Sequence, residues 1–82
     1  MDKINELRSK INTIDDTIMS LLEERYNISL EIGILKDKLK VAVLDQNREE
    51  YILNKASKYS HSPLIESVYK TIMKESRNLQ RK

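Results

Sequence analysis

The chain has 82 residues, with 15 lysines and arginines against 13 acids, a net charge of +2 and no cysteine. This length predicts one small domain, residues 1–82, and the absence of cysteine excludes disulfides, thiolate catalysis and cysteine-type zinc sites. The basic and acidic residues are well mixed, which argues against a nucleic-acid-binding surface. The sequence has no membrane-spanning run and no amino-terminal signal segment, so it predicts a cytoplasmic protein that does not contact a membrane.

The first predicted element is a long helix. One glycine, one proline and many Leu, Ile, Lys and Glu residues favour an all-helical fold with few connections. This helix begins near Asp2, a possible N-cap, and runs to about Leu39. Gly33 is interpreted as a tolerated defect, which destabilises this helix by about 1 kcal/mol relative to alanine. Its apolar residues follow a heptad pattern, with spacings of three and four: Ile4, Leu7, Ile11, Ile14, Ile18, Leu21, Ile28, Ile32, Leu35 and Leu39.

Two shorter helices are predicted after the first. The β-branched segment 40–44 breaks the heptad pattern and predicts an extended connection, after which Asp45 is the expected N-cap of helix two. Residues 57–62 form a polar loop in this interpretation, and Ser62 with Pro63 predicts the N-cap and first residue of helix three. The apolar residues expected to face the core are Ile52, Leu53 and Ala56 in helix two, and Leu64, Ile65, Val68, Ile72, Met73 and Leu79 in helix three.

The length of the first helix predicts a dimer. At 1.5 Å per residue it would extend about 55 Å. A compact globule of this many residues has a radius of gyration of only about 12 Å. The two shorter helices cannot cover such a helix, so its apolar stripe is expected to pack against a second copy of the chain in a helical homodimer.

Arg25 occupies the place in the heptad pattern, between Leu21 and Ile28, where an apolar residue is expected. A guanidinium keeps its charge there, so it requires an anion nearby. If a protein carboxylate such as Glu24 or Glu31 supplies that anion, the chain is a non-catalytic dimerisation module without a cavity. If a ligand supplies it, the chain contains a site for an anionic small molecule.

Further polar residues share the inward faces of the predicted helices. Lys36, 11 residues after Arg25, points within about 20° of it around the helix axis. Arg8 lies about 25 Å from Arg25 along that axis, so it could share a ligand with Arg25 only from the other protomer. The other two helices contribute Arg48, Glu49, Ser76 and Gln80. Taken singly, each is explained by an internal salt bridge or by packing, but several bases with few acids together favour a site for a multiply charged anion.

Short segments in a fixed order carry a family resemblance: Leu7–Ile11 with Ile14–Asp15, Leu21–Arg25, Ile32–Lys36, Asp45–Glu49, and Glu75–Ser76 followed by Gln80. With these segments the chain resembles, over essentially its whole length, the all-helical class of chorismate mutases. The resemblance implies a three-helix protomer in an intertwined homodimeric bundle. It also implies an isomerase that converts chorismate to prephenate in the biosynthesis of phenylalanine and tyrosine, with no cofactor and no metal.

The resemblance implies roles for the basic residues. Arg25, and Arg8 from the other protomer, would pair with the two carboxylates of chorismate. Lys36 and Gln80 would donate hydrogen bonds to the ether oxygen of the bond that breaks.

It implies roles for the remaining polar residues as well. Glu49, helped by the backbone near Asp45, would hold the ring hydroxyl. Arg48 and Ser76 would complete the polar lining around the carboxylates. Together these make eight predicted site residues.

Overall fold

The computed structural model describes residues 2–81, which form three helices and no strand within that range. The helices are α1 (Asp2–Leu39), α2 (Gln46–Ala56) and α3 (Ser62–Gln80). This confirms the all-helical fold and the long first helix. Asp2, expected as a possible N-cap, is already helical. None of the three helices is long and apolar enough to cross a membrane.

The connection between α1 and α2 begins with a residue in the left-handed backbone conformation. Lys40 has a φ of 58°, a region that favours glycine over residues with a Cβ atom. The next N–H, that of Val41, donates to the Lys36 carbonyl at 2.9 Å and so satisfies one free carbonyl at the helix end. Asp45 then caps α2 as predicted, because its side chain accepts a hydrogen bond from the Arg48 N–H at 3.0 Å.

The third helix begins one residue earlier than predicted. Ser62, expected as the N-cap, is its first helical residue, and His61 occupies the cap position without a side-chain hydrogen bond. The N–H groups of Leu64 and Ile65 both donate to the His61 carbonyl, at 3.1 and 3.0 Å, so the helical hydrogen bonds start there. Pro63 still falls in the first turn, where its missing N–H removes no helical hydrogen bond.

The core lies along α3, which packs against both α1 and α2. Ile72 and Met73 of α3 and Ala56 of α2 are buried. Leu64 and Val68, expected to face the core, are instead 68% and 57% exposed. By helical periodicity they lie about 90–130° around α3 from the centre of its buried side. The predicted apolar stripe of α3 was therefore too wide.

The amino-terminal half of α1 has an uncovered apolar side. Its six heptad residues from Ile4 to Leu21 are each 45–57% exposed. The structure is 56 Å long, with a radius of gyration of 16.1 Å, against about 12 Å expected for a compact chain of this length. One copy of the chain therefore leaves this half of the heptad stripe exposed to water.

Candidate functional site

A cavity of about 360 Å³ lies where the three helices and the α1–α2 connection meet. Cavities of roughly 300–1,000 Å³ hold small organic ligands. Seven of the eight predicted site residues line it: Arg25, Lys36, Asp45, Arg48, Glu49, Ser76 and Gln80. The rest of the lining is mainly apolar, with Ile28, Ile32, Val43, Ile52 and Met73 alongside Ser29 and Arg77. The cavity thus combines an apolar wall with several charged groups.

Arg8 is the one predicted site residue that does not line this cavity. It is exposed, on the part of α1 that precedes the packed region. The 17 residues between Arg8 and Arg25 correspond to about 25 Å of helix. Within one chain, Arg8 cannot contact a ligand held by Arg25.

Arg25 is held against α3 by a hydroxyl group. Its Nη1 donates to the Ser76 Oγ at 3.0 Å, and its guanidinium lies 6.0 Å from the centre of the Tyr69 ring. No ion pair of Arg25 with a carboxylate occurs among residues 2–81, so neither Glu24 nor Glu31 neutralises it. Both this and the presence of a cavity differ from what a dimerisation module predicts.

Two further cations of the cavity also have neutral partners. Lys36 Nζ donates to the Val43 carbonyl at 2.7 Å, which joins the end of α1 to the following connection. The Arg48 guanidinium lies 5.4 Å from the centre of the Tyr51 ring. In the described chain neither side chain forms a salt bridge. With Arg25, three cations therefore line the cavity without a salt bridge to a carboxylate of residues 2–81, an arrangement that favours an anionic ligand.

The two carboxylates that line the cavity already have protein partners. Asp45 caps α2 through its side chain. Both oxygens of Glu49 accept hydrogen bonds from Arg77 Nη1, Oε1 at 2.6 Å and Oε2 at 2.5 Å. Arg77 was not among the predicted site residues. A signal for it exists, because it precedes Gln80 by three residues and so lies on the same side of α3.

Gln80 reaches the cavity because α1 and α3 approach each other closely at Gly33. A Cβ atom added to Gly33 would lie 2.6 Å from the Gln80 Cα and 2.9 Å from its carbonyl oxygen. The packing of α1 against α3 therefore requires a residue without a Cβ atom at Gly33. The interpretation of Gly33 as only a tolerated defect was incomplete. The buried Oε1 of Gln80 has no hydrogen-bond partner in the described chain. The amide is thus free to turn its NH₂ group towards a ligand.

Comparisons with known proteins point to one family. The model of the type II chorismate mutases matches residues 7–81. A chorismate mutase from Methanocaldococcus jannaschii is 33% identical over 58 residues, which cover 71% of this chain and 59% of that protein. A bifunctional chorismate mutase/prephenate dehydratase from Aquifex aeolicus is 36% identical over 55 residues, covering 67% of this chain and 15% of that protein. The chain thus spans less than two thirds of either relative.

The fold is also found in a solved structure. A conserved hypothetical protein from Pyrococcus furiosus superposes with a TM-score of 0.87 at 30% sequence identity. The match covers 98% of this chain and 97% of that chain. The long first helix and the two shorter helices therefore recur together in that protein.

Proposed function

Because the chain belongs to the type II chorismate mutase family, we propose that it converts chorismate to prephenate in the biosynthesis of phenylalanine and tyrosine. The observation that supports this most directly is the cavity lined by Arg25, Lys36 and Arg48, three cations that form no salt bridge within residues 2–81. Chorismate carries two carboxylates, which such a cavity can neutralise. The cytoplasm, predicted from the sequence, is the expected compartment.

The chemistry of this reaction matches the types of residue present. In this Claisen rearrangement the ether C–O bond breaks while a C–C bond forms within the same molecule, so no group is transferred to or from the protein. The catalyst must hold the chair-like conformer and stabilise the negative charge that grows on the ether oxygen. Arginines suit the first task because a planar guanidinium fixes the orientation of a carboxylate. A cation and an amide donor suit the second task.

We assign the carboxylates of the substrate to the part of the cavity around Arg25. A guanidinium has five N–H donors, and the bond to Ser76 uses one of them. The others remain for a carboxylate, while the buried Ser76 keeps the guanidinium in place. Arg48 lines the same cavity from α2 and adds a second cation.

We assign the ether oxygen to Lys36 and Gln80. Lys36 has three N–H donors, of which the Val43 carbonyl accepts one. Gln80 is placed at this end of α1 by the contact of its backbone with Gly33. The developing negative charge would therefore meet an ammonium group and an amide N–H.

The ring hydroxyl is assigned to Glu49, with the backbone near Asp45. Glu49 is oriented by its two hydrogen bonds from Arg77 and retains further lone pairs to accept a hydroxyl hydrogen. Asp45 would contribute through the backbone around it, since its side chain caps α2.

Finally, we propose an intertwined homodimer in which Arg8 of the partner subunit completes each site. The exposed heptad stripe of α1 supplies the apolar surface for such an association. If the two α1 helices pack antiparallel, each brings its Arg8 towards the Arg25 of the other chain. The second carboxylate of chorismate would then have its own guanidinium.

The test is a direct assay of the purified chain with chorismate, following the loss of chorismate absorbance and the appearance of prephenate. Lys36→Met is expected to lower kcat by about 100- to 1,000-fold, as removal of a donor to a developing oxyanion does in other enzymes. Lys38→Met is the matched control, since Lys38 is an exposed lysine of the same helix that does not line the cavity. A folded wild-type protein that leaves chorismate unchanged would contradict the proposal.

A further inference from the structure

The Arg77–Glu49 pair joins α3 to α2 across the edge of the cavity. One guanidinium nitrogen of Arg77 lies within hydrogen-bonding distance of both Glu49 oxygens. The side chains are 26% and 23% exposed, so both are largely withdrawn from water. Both residues line the cavity. The pair is therefore part of the cavity wall.

We propose that Arg77 is a positioning residue, which fixes the Glu49 carboxylate so that it accepts the ring hydroxyl of the substrate. This inference rests on the proposed function. With Nη1 between its two oxygens, the carboxylate is held in one orientation by charge-assisted hydrogen bonds. Its remaining lone pairs are then available to a hydroxyl donor.

Arg77 also keeps Glu49 away from the cations that bind substrate. Three cations line the same cavity without a salt bridge to a carboxylate of the described residues 2–81, and a mobile glutamate would be attracted to them. Arg48, the adjacent residue on α2, cannot take over the task, because neighbouring residues on a helix point in different directions. Arg77 reaches Glu49 from the other helix and so satisfies the carboxylate without using a substrate-binding group.

The test is a double-mutant cycle on kcat/KM for chorismate, with Arg77→Met, Glu49→Gln and the double variant. Removal of a charge-assisted hydrogen bond predicts a loss of about tenfold or more for Arg77→Met. Because Arg77 acts through Glu49, the double variant should be no worse than the more impaired single variant. Arg77→Lys, which keeps the cation, should recover most of the activity. Lys74→Met, an exposed lysine of the same helix, is the control and should match wild type.

Each outcome distinguishes this role from a purely structural one. If Arg77 only joined the helices, Arg77→Met would lower the denaturation midpoint and leave kcat/KM of the folded protein unchanged. If the two single losses multiplied in the double variant, Arg77 would act independently of Glu49. Either result overturns the inference. Arg77→Gln replaces Arg77→Met should the latter fail to fold. An inactive wild type would remove the proposed function itself, whereas an active wild type with an unaffected Arg77→Met removes only this inference.

Discussion

Arg25 carries a permanent charge into an otherwise apolar stripe, and the hydroxyl of Ser76 that accepts its hydrogen bond is uncharged. Arg25→Ala should therefore leave the fold largely intact, since one hydrogen bond from a charged donor contributes only about 1.5–3 kcal/mol to stability. In the proposed site the same change removes a partner of a substrate carboxylate, worth about 2–5 kcal/mol or roughly 30- to 5,000-fold in kcat/KM. Thermal unfolding followed by circular dichroism and steady-state kinetics measure the two effects separately.

Glu24→Ala and Glu31→Ala serve as controls for Arg25. Both glutamates are exposed, and each was a candidate to neutralise Arg25. Their removal should leave both activity and stability close to wild type, because neither forms a salt bridge within residues 2–81. An Arg25→Ala protein that unfolds, or that keeps full activity, would show that Arg25 is a structural residue.

For single residues, the sequence indicated which side chains line the cavity where a charged residue interrupts an apolar pattern. Arg25 stood out for that reason, and the structure places it beside the cavity. Arg77 did not stand out, because an arginine at the flank of an amphipathic helix is ordinarily solvated. Its proposed role follows from its contact with Glu49 on another helix, a tertiary relation that helical periodicity does not contain.

At the scale of elements, Gly33 decides how α1 meets α3. In an isolated helix Gly33→Ala would stabilise by about 1 kcal/mol. Here the new Cβ would lie 2.6 Å from the Gln80 Cα, and backbone atoms cannot move aside as a side-chain tip can. Overpacking of this kind typically costs about 1–3 kcal/mol. We expect a lower denaturation midpoint and, since Gln80 is displaced, a loss of about tenfold or more in kcat/KM.

The matched control is Asn27→Ala, an exposed position of the same helix where alanine improves helix propensity without a new contact. It should keep full activity and a midpoint at or above that of wild type. If Gly33→Ala behaved like Asn27→Ala in both measurements, the close approach of the helices would not constrain Gln80.

The elements themselves were predictable because their signals are local. The cap at Asp45 and the heptad pattern of α1 indicated the ends of the first connection. In contrast, α3 begins at Ser62, the residue expected to cap it. The side of α1 that meets α3 was not predicted. Ser29 and Gly33 are its buried residues, each one position after an apolar residue of the heptad pattern. Small residues carry no hydrophobic signal, so the pattern described a neighbouring side of α1, about 100° away around the helix axis.

At the scale of the whole molecule, the main exposed apolar surface is the side of α1 that no other helix covers. A heptad stripe with residues 45–57% exposed from Ile4 to Leu21 is unfavourable in water. We therefore expect sedimentation equilibrium at micromolar concentration to give twice the 9.7 kDa mass of one chain. A stable folded monomer would contradict both the dimer and a site that two chains share.

A shared site makes a stricter prediction about mixtures of inactive subunits. Arg8→Ala and Lys36→Ala homodimers should each be inactive, since every site in them lacks one group. In the proposed heterodimer, Arg8 and Lys36 of a site would come from different chains, so one site would receive both defects and the other neither. Random exchange of equal amounts should restore about a quarter of the sites, measured as kcat per total site. If exchange is verified by sedimentation of differently tagged chains and no activity returns, Arg8 does not act across the dimer.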